Sequence, residues 1–435
     1  MTLAGPIVGA QLAFMGMGVA DTLMAGRLGA QDLAAVAVGA NMWMVLFVWF
    51  MGICMAVSPV IAQRLGSRAQ PERLAAVIQY GLLIALAMGL IWWLAMRWLP
   101  PLFIDLLGLA PETSALAVRY LHAAAWGTPL FALGFVLRYA MEGQGRSRPV
   151  LVAGVVGLIV NVLFDWLLMF GVGPFPRLGA EGCGWATALA SLAMLLVMAW
   201  QHWRLPSLRA AQPWRRWIGG EPQLVPELLK LGVPIGLIWL AEVALFAGAG
   251  LLMALFGDGP VAAHQVAINI AAVAFMVPMG LGLAATARIG QAAGAGDHAA
   301  VALRGRVAIG LAAAFAVFSA SLMALFPKQL VGLYTTEPGI FELAVHFLVW
   351  AALFQIFDGL QATCSGVLRG LKDTRGPMVI TLIAYWIVGL PFGIGMAFHA
   401  DAGPRGLWFG LIAGLAVAAV GLNLRFWRTV RQHSF

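Results

Sequence analysis

The chain has 435 residues, 62% of them hydrophobic and only 10% charged, and 52 glycines add to the apolar share. Soluble domains hold about 45–50% apolar and about 25% charged residues, so a soluble globular protein, a disordered chain and a coiled coil are excluded. A net charge of +8 would point to nucleic acid in a soluble protein. Here the basic residues fall between long apolar runs, where they orient helices in a bilayer, and no nucleic-acid partner is expected.

Twelve runs are long enough to cross a membrane. They lie near 3–26, 34–62, 74–98, 117–141, 150–172, 180–203, 229–256, 260–288, 303–327, 341–369, 377–399 and 405–427. Their polarity does not alternate, which excludes a porin-type barrel. The expected fold is an all-α polytopic membrane protein. The first run has no Lys or Arg before Arg27 and reads as a retained helix, not a cleaved signal peptide. Residues 204–228 carry Arg204, Arg209, Arg215 and Arg216 among four prolines, and read as a basic linker between a lobe at 1–203 and a lobe at 229–435.

The two halves repeat. At an offset of 228, residues 6–66 and 234–294 are identical at 18 of 61 positions without a gap. Biased composition alone gives roughly one in ten. Matches include Pro6/Pro234, Gly29/Gly257, Asn41/Asn269, Gln63/Gln291 and Gly66/Gly294. Later, Gly143-Gln-Gly-Arg-Ser-Arg-Pro149 echoes Gly370-Leu-Lys-Asp-Thr-Arg-Gly-Pro377. Six spans per repeat is an even number, so both halves insert the same way up, related by an axis along the membrane normal. Two such lobes suit a rocking transporter with substrate between them.

Orientation follows from Lys and Arg counts. The side reached after each even-numbered span holds 19 and the opposite side six, with Arg138 inside the fourth span. This bias puts both termini in the cytoplasm.

Most spans hold no ionisable group. An acid at the bilayer centre costs about 2.5–3.5 kcal/mol on insertion scales, so the exceptions need a reason. Asp21, Asp165, Glu242 and Asp358 stand out. Glu242 and Asp358 sit near the middle of their spans, and Asp21 and Asp165 in the outer halves of theirs. Asn161 precedes Asp165 by one turn on the same face, and Thr187 lies at similar depth. Two polar clusters are expected: Asp21, Asn161, Asp165 and Thr187 in the first lobe, Glu242 and Asp358 in the second. The acids do not repeat at the 228 offset, although scaffold residues do. Either cluster could coordinate Na⁺ through hard oxygens, or carry a proton on a desolvated carboxylate.

Asn41 and Asn269 are expected to bond between helices or, with Gln265, to line the substrate path. His264 reads as a structural residue. Gly66 and Gly294 read as helix caps after Gln63 and Gln291, and Pro129, Pro278 and Pro391 as kink sites. Cys54, Cys183 and Cys364 lie in or beside apolar segments with no CxxC, and read as core residues rather than metal ligands. No GxxxxGK[ST], HExxH or GxSxG is present, which argues against a P-loop ATPase and those hydrolase designs.

Several motifs resemble the multidrug and toxin extrusion (MATE) family, and its bacterial NorM-like branch most. They are Met17-Gly-Val-Ala-Asp-Thr-Leu-Met-Ala-Gly-Arg-Leu-Gly29, Ala263-His-Gln-Val-Ala-Ile-Asn269, Pro278-Met-Gly-Leu-Gly-Leu-Ala-Ala-Thr-Ala-Arg-Ile-Gly-Gln291 and Gly366-Val-Leu-Arg-Gly-Leu-Lys-Asp-Thr-Arg375. The resemblance implies twelve transmembrane helices in two pseudo-symmetric six-helix lobes, and antiport of organic cations against Na⁺ or H⁺. It matches Asp21 to the family's acid in helix 1, and Glu242 and Asp358 to its second-lobe cation site. Asn161, Asp165 and Thr187 are similar to its first-lobe polar site.

The function expected is export of lipophilic cationic drugs and dyes, with no catalytic role and no cofactor beyond the coupling ion, by a chain read as a monomer. One competing reading is a flippase for lipid-linked precursors, whose pyrophosphate would want Arg or Lys in the cavity. Another is an intramembrane enzyme using Glu242 and Asp358 as an acid/base pair, although nothing marks a nucleophile or a metal.

Overall fold

A computed structural model of the chain describes residues 3–106, 108–205, 217 and 220–432. Arg209, Arg215 and Arg216 of the basic linker lie outside the described residues. The described residues contain helices and turns and no β-strand. Eleven helices are long and apolar enough to span a bilayer, and a bent pair makes a twelfth. In the first half they are α1 (Ala4–Leu28), α2 (Ala30–Gly66), α3 (Pro71–Trp98), the bent α4 (Pro111–Ala125 with Gly127–Gly143), α5 (Arg148–Phe170) and α6 (Ala180–Trp203). In the second they are α7 (Leu224–Ala254), α8 (Asp258–Gly294), α9 (His298–Leu325), α10 (Pro338–Gly370), α11 (Arg375–His399) and α12 (Pro404–Gln432). The chain is a multi-pass membrane protein. It forms two compact units, Met1–Gly236 and Leu237–Phe435, whose division falls within α7.

The internal repeat is visible in the helix ends. Helices α2 and α8 are each 37 residues long, and both of their ends differ by the 228-residue offset. Each follows a glycine in a positive-φ conformation, Gly29 at 147° and Gly257 at 103°, which an L side chain rarely adopts. The copies are not identical. Helix α2 is interrupted at Met55 and Ala56, whereas α8 runs through Pro278 without a break.

Ends and bends follow local chemistry. Prolines open α3, α4 and α10, where a missing N–H costs nothing. Asp297 caps α9 by accepting from Ala300 N at 2.8 Å. Helix α4 bends by 44° at Trp126, three residues before Pro129. Pro391 lies in α11 between two π-helical stretches, Ile383–Gly389 and Gly395–His399, which accommodate the ring and rotate the face that α11 presents. Gly66 and Gly294 are the last helical residues rather than the caps. The left-handed residues come two positions later, at Arg68 and Gly296.

Lipid gives helices no hydrophobic reason to associate, so close contact through small residues matters more. Gly389, Gly393 and Ala397 of α11 meet Gly406, Gly410 and Gly414 of α12 at four-residue spacing. A Cβ on Gly410 would lie 2.5 Å from Gly393 Cα and 2.6 Å from Gly389 O. This seam fixes the part of α11 that carries Tyr385. Around it the second unit packs Phe347, Phe354, Leu411 and Trp408 as one core. In the first unit the core is aromatic, with Phe14 stacked on Phe47 at 5.4 Å and Trp43 on Phe47 at 4.7 Å.

Candidate cation sites in the two lobes

In the first unit, α1, α5 and α6 bring three side chains together. Ligand atoms of Asp21, Asp165 and Cys183 all lie within 4.8 Å of one another. Asn161, one turn before Asp165, donates from Nδ2 to Asp21 Oδ1 at 3.0 Å. Asp165 is fully buried and Asn161 nearly so; Asp21 is partly exposed. Both carboxylate oxygens of Asp165 and the Oδ1 of Asn161 are buried without a hydrogen-bond partner. The start of α6 is anchored three residues before Cys183, where Asp32 Oδ1 accepts from Ala180 N at 2.8 Å. Thr187 sits one turn further along, and its hydroxyl donates to the Cys183 carbonyl at 3.1 Å. Tyr120, on α4, lies within electrostatic range of Asp21, Asp165 and Cys183.

Three of the four residues expected in this cluster thus surround one point, and a cysteine joins them. All three cysteines are free and buried. Cys183 differs from the other two in that its thiol also faces the two carboxylates.

In the second unit, Glu242 on α7 and Asp358 on α10 are both buried and interact with each other. Tyr385, fully buried on α11, faces Glu242. Asp358 Oδ1 and Tyr385 Oη have no partner at hydrogen-bonding distance. Gln355, one turn before Asp358, leaves both its amide atoms unpartnered, and Thr381, one turn before Tyr385, leaves its hydroxyl unpartnered. None of the four membrane acids has an ion-pair partner among the described residues. Two bare carboxylates desolvated side by side are strongly disfavoured.

The remaining candidates behave differently. Asn41 is exposed and Asn269 half-buried, and neither side chain has a hydrogen-bond partner among the described residues, against the expected interhelical bonding. Gln265 is exposed. His264 is buried with its ring edge on Trp408 at 5.2 Å, and its Nδ1 has no hydrogen-bond partner among the described residues. Arg138 is buried and paired with Glu142 at 2.9 Å, and it also donates to Gln11. It borders a small pocket walled by Phe14, Phe131, Phe135, Met194 and Met198. Its charge is therefore already neutralised.

Sequence reasoning missed Tyr120, Cys183, Gln355 and Tyr385. A signal existed for the tyrosines: the chain has only five, and two of them stand beside buried carboxylate pairs. For Gln355 the signal was its spacing, since Gln355, Asp358 and Gln361 recur every three residues on one helix.

Carboxylate pairs inside a duplicated bundle of membrane-spanning helices point to a class: a polytopic helical transporter. The MatE family profile matches residues 6–167 and 234–394, so both repeats are covered. A probable multidrug resistance protein NorM of Acinetobacter baylyi is 38% identical over 426 residues, spanning 98% of this chain and 94% of that one. The multidrug resistance protein PmpM of Pseudomonas aeruginosa is 38% identical over 99% of this chain and 91% of its own length. An outward-facing multidrug resistance MATE family transporter superposes with a TM-score of 0.89 at 20% identity, covering 100% of this chain and 95% of that one. The eukaryotic MATE transporter AtDTX14 gives 0.85 at 21%, covering 99% and 96%. At such identities the structures speak for the fold alone. The chain belongs to the MatE family, in its bacterial NorM-like branch.

Proposed function

We propose that the protein is a multidrug exporter of the inner membrane that expels lipophilic organic cations in exchange for Na⁺ or H⁺. The observation that carries this reading is the Glu242–Asp358 pair, two acids buried together with no basic partner among the described residues. Such a pair is occupied by H⁺ or Na⁺ when drug is absent. A cationic drug entering the protein weakens that occupancy, and by linkage the cation weakens drug binding to the same degree. The first-lobe group of Asp21, Asn161 and Asp165 supplies a second set of hard oxygens for the same exchange. Asn41, Asn269 and Gln265 remain proposed contacts along the drug path; the exposure of Asn41 and Gln265 suits that role better than a helix-joining one.

Neutralisation of Arg138 by Glu142 favours cationic cargo over a pyrophosphate-bearing lipid. Exchange of this kind breaks no covalent bond, and the chain is read as a carrier rather than an enzyme, working as a monomer without a bound cofactor. The lobes are assigned to 1–203 and 229–435, joined by a cytoplasmic linker at 204–228. A single Cys placed in 204–225 should be labelled only from the cytoplasm, and labelling from outside intact cells would reverse the orientation. The function is tested in proteoliposomes carrying a cationic dye. An imposed H⁺ or Na⁺ gradient should drive dye out, and no movement under either gradient would refute the reading.

A further inference from the structure

The first-lobe group contains more than an alkali-cation site requires. Na⁺ and H⁺ need only oxygens, and Asp21, Asp165 and Asn161 provide them. The thiol of Cys183 is a soft donor, and placing it among hard ones changes which ions fit. We infer that Asp21, Asp165 and Cys183, completed by the Asn161 amide oxygen, form a site for a thiophilic divalent cation of the zinc and cadmium class. This inference does not depend on which lobe couples transport.

Three observations carry it. The ligand atoms of the two carboxylates and the thiol already lie within 4.8 Å of one another. Ligands around a tetrahedral Zn²⁺ at about 2.0–2.3 Å stand roughly 3.3–3.8 Å apart, so side-chain adjustments of about 1 Å close the shell. Next, the site keeps spare acceptor capacity. Both Asp165 oxygens and Asn161 Oδ1 are buried without partners. The Asn161 amide is held on the group by its Nδ2 bond to Asp21, and a turn of the amide about its last side-chain bond would present the unpartnered oxygen to a bound ion. Finally, two of the contributing helices are tied directly, since the Asn161–Asp21 bond joins α5 to α1, while Asp32 on α2 fixes the first turn of α6, three residues before Cys183. Cys183 and Asp165 are completely buried, and the partly exposed Asp21 offers the way in. Three anionic donors would neutralise a divalent ion with one charge to spare once the thiol proton is displaced. Bound metal would clamp α1 to α5 and α6.

The test uses the purified full-length protein in detergent, titrated with Cd²⁺ and followed by the ultraviolet thiolate-to-cadmium charge-transfer band, with equilibrium dialysis for stoichiometry. One Cd²⁺ per chain is expected, with the band present in the wild type and in the Cys54→Ser/Cys364→Ser variant. The band should vanish in Cys183→Ser and in Cys183→Ala. Asp165→Asn should weaken binding about tenfold or more. Zn²⁺ should displace Cd²⁺, and Mg²⁺ should not. X-ray absorption at the cadmium edge of the wild type gives a check that needs no variant: one sulfur neighbour, the rest oxygen or nitrogen. A band that survives in Cys183→Ser, undiminished affinity in Asp165→Asn, a sulfur-free shell or absence of stoichiometric binding would each overturn the proposal.

Discussion

Asn161 on α5 donates its side-chain N–H to the carboxylate of Asp21 on α1 at 3.0 Å, joining residues 140 positions apart in sequence. The bond leaves the amide oxygen of Asn161 and both oxygens of Asp165 unpartnered and buried. A purely structural hydrogen bond in lipid would not leave so many acceptors bare. An interhelical bond in a membrane is worth only about 0.6 kcal/mol on average. Asn161→Ala should therefore barely change the thermal unfolding midpoint while lowering dye export several-fold. Asp21→Asn should lower it further, by removing the charge. Unfolding and efflux measured on the same preparations check this; lost stability with normal export would make the bond structural.

Tyr385 contributes a single hydroxyl to the second-lobe pair, so Tyr385→Phe removes one group without opening a cavity. A hydrogen bond to a charged group is worth about 1.5–3 kcal/mol. The hydroxyl faces Glu242 without a partner at hydrogen-bonding distance in this structure, so a role in exchange requires that it reach Glu242 during the cycle. Its loss should then lower gradient-driven efflux about tenfold or more. Initial rates at saturating dye provide the measurement, with the unfolding midpoint as control. An unchanged rate would remove Tyr385 from the site.

The α11–α12 seam should tolerate no added side chain at its centre. Gly410→Ala places a Cβ against the backbone of Gly393 and Gly389 and should lower the unfolding midpoint and export together, because it pushes away the helix that carries Tyr385. Gly310 on α9 has open space where its Cβ would stand, so Gly310→Ala should be neutral. Equal behaviour of the two variants in thermal unfolding would show that the seam is not a tight contact.

Much of this architecture was legible in the sequence, for physical reasons. Spans were visible because the bilayer demands about 20 apolar residues per crossing. The repeat was visible because glycines at forced conformations, such as Gly29 and Gly257, keep their spacing. The acids were visible because charge is rare in lipid, and the turn from Asn161 to Asp165 put two polar groups on one face. Cys183 and Tyr385 were hidden because each is individually compatible with an apolar core, and only the fold shows which ones border a carboxylate. Asn41 and Asn269 misled in the opposite way. Matching positions in two repeats suggested a shared bond, whereas one side chain is exposed, the other half-buried, and neither finds a hydrogen-bond partner among the described residues.

The central claim is that Glu242 and Asp358 exchange a cation for drug. The most direct measurement is dye efflux from proteoliposomes under an imposed Na⁺ or H⁺ gradient, comparing wild type with Glu242→Gln and Asp358→Asn at equal reconstituted amounts. The account predicts that each neutral variant inserts and folds normally yet loses gradient-driven export. Export by both variants at the wild-type rate would contradict it, and would move the coupling site to Asp21, Asn161 and Asp165.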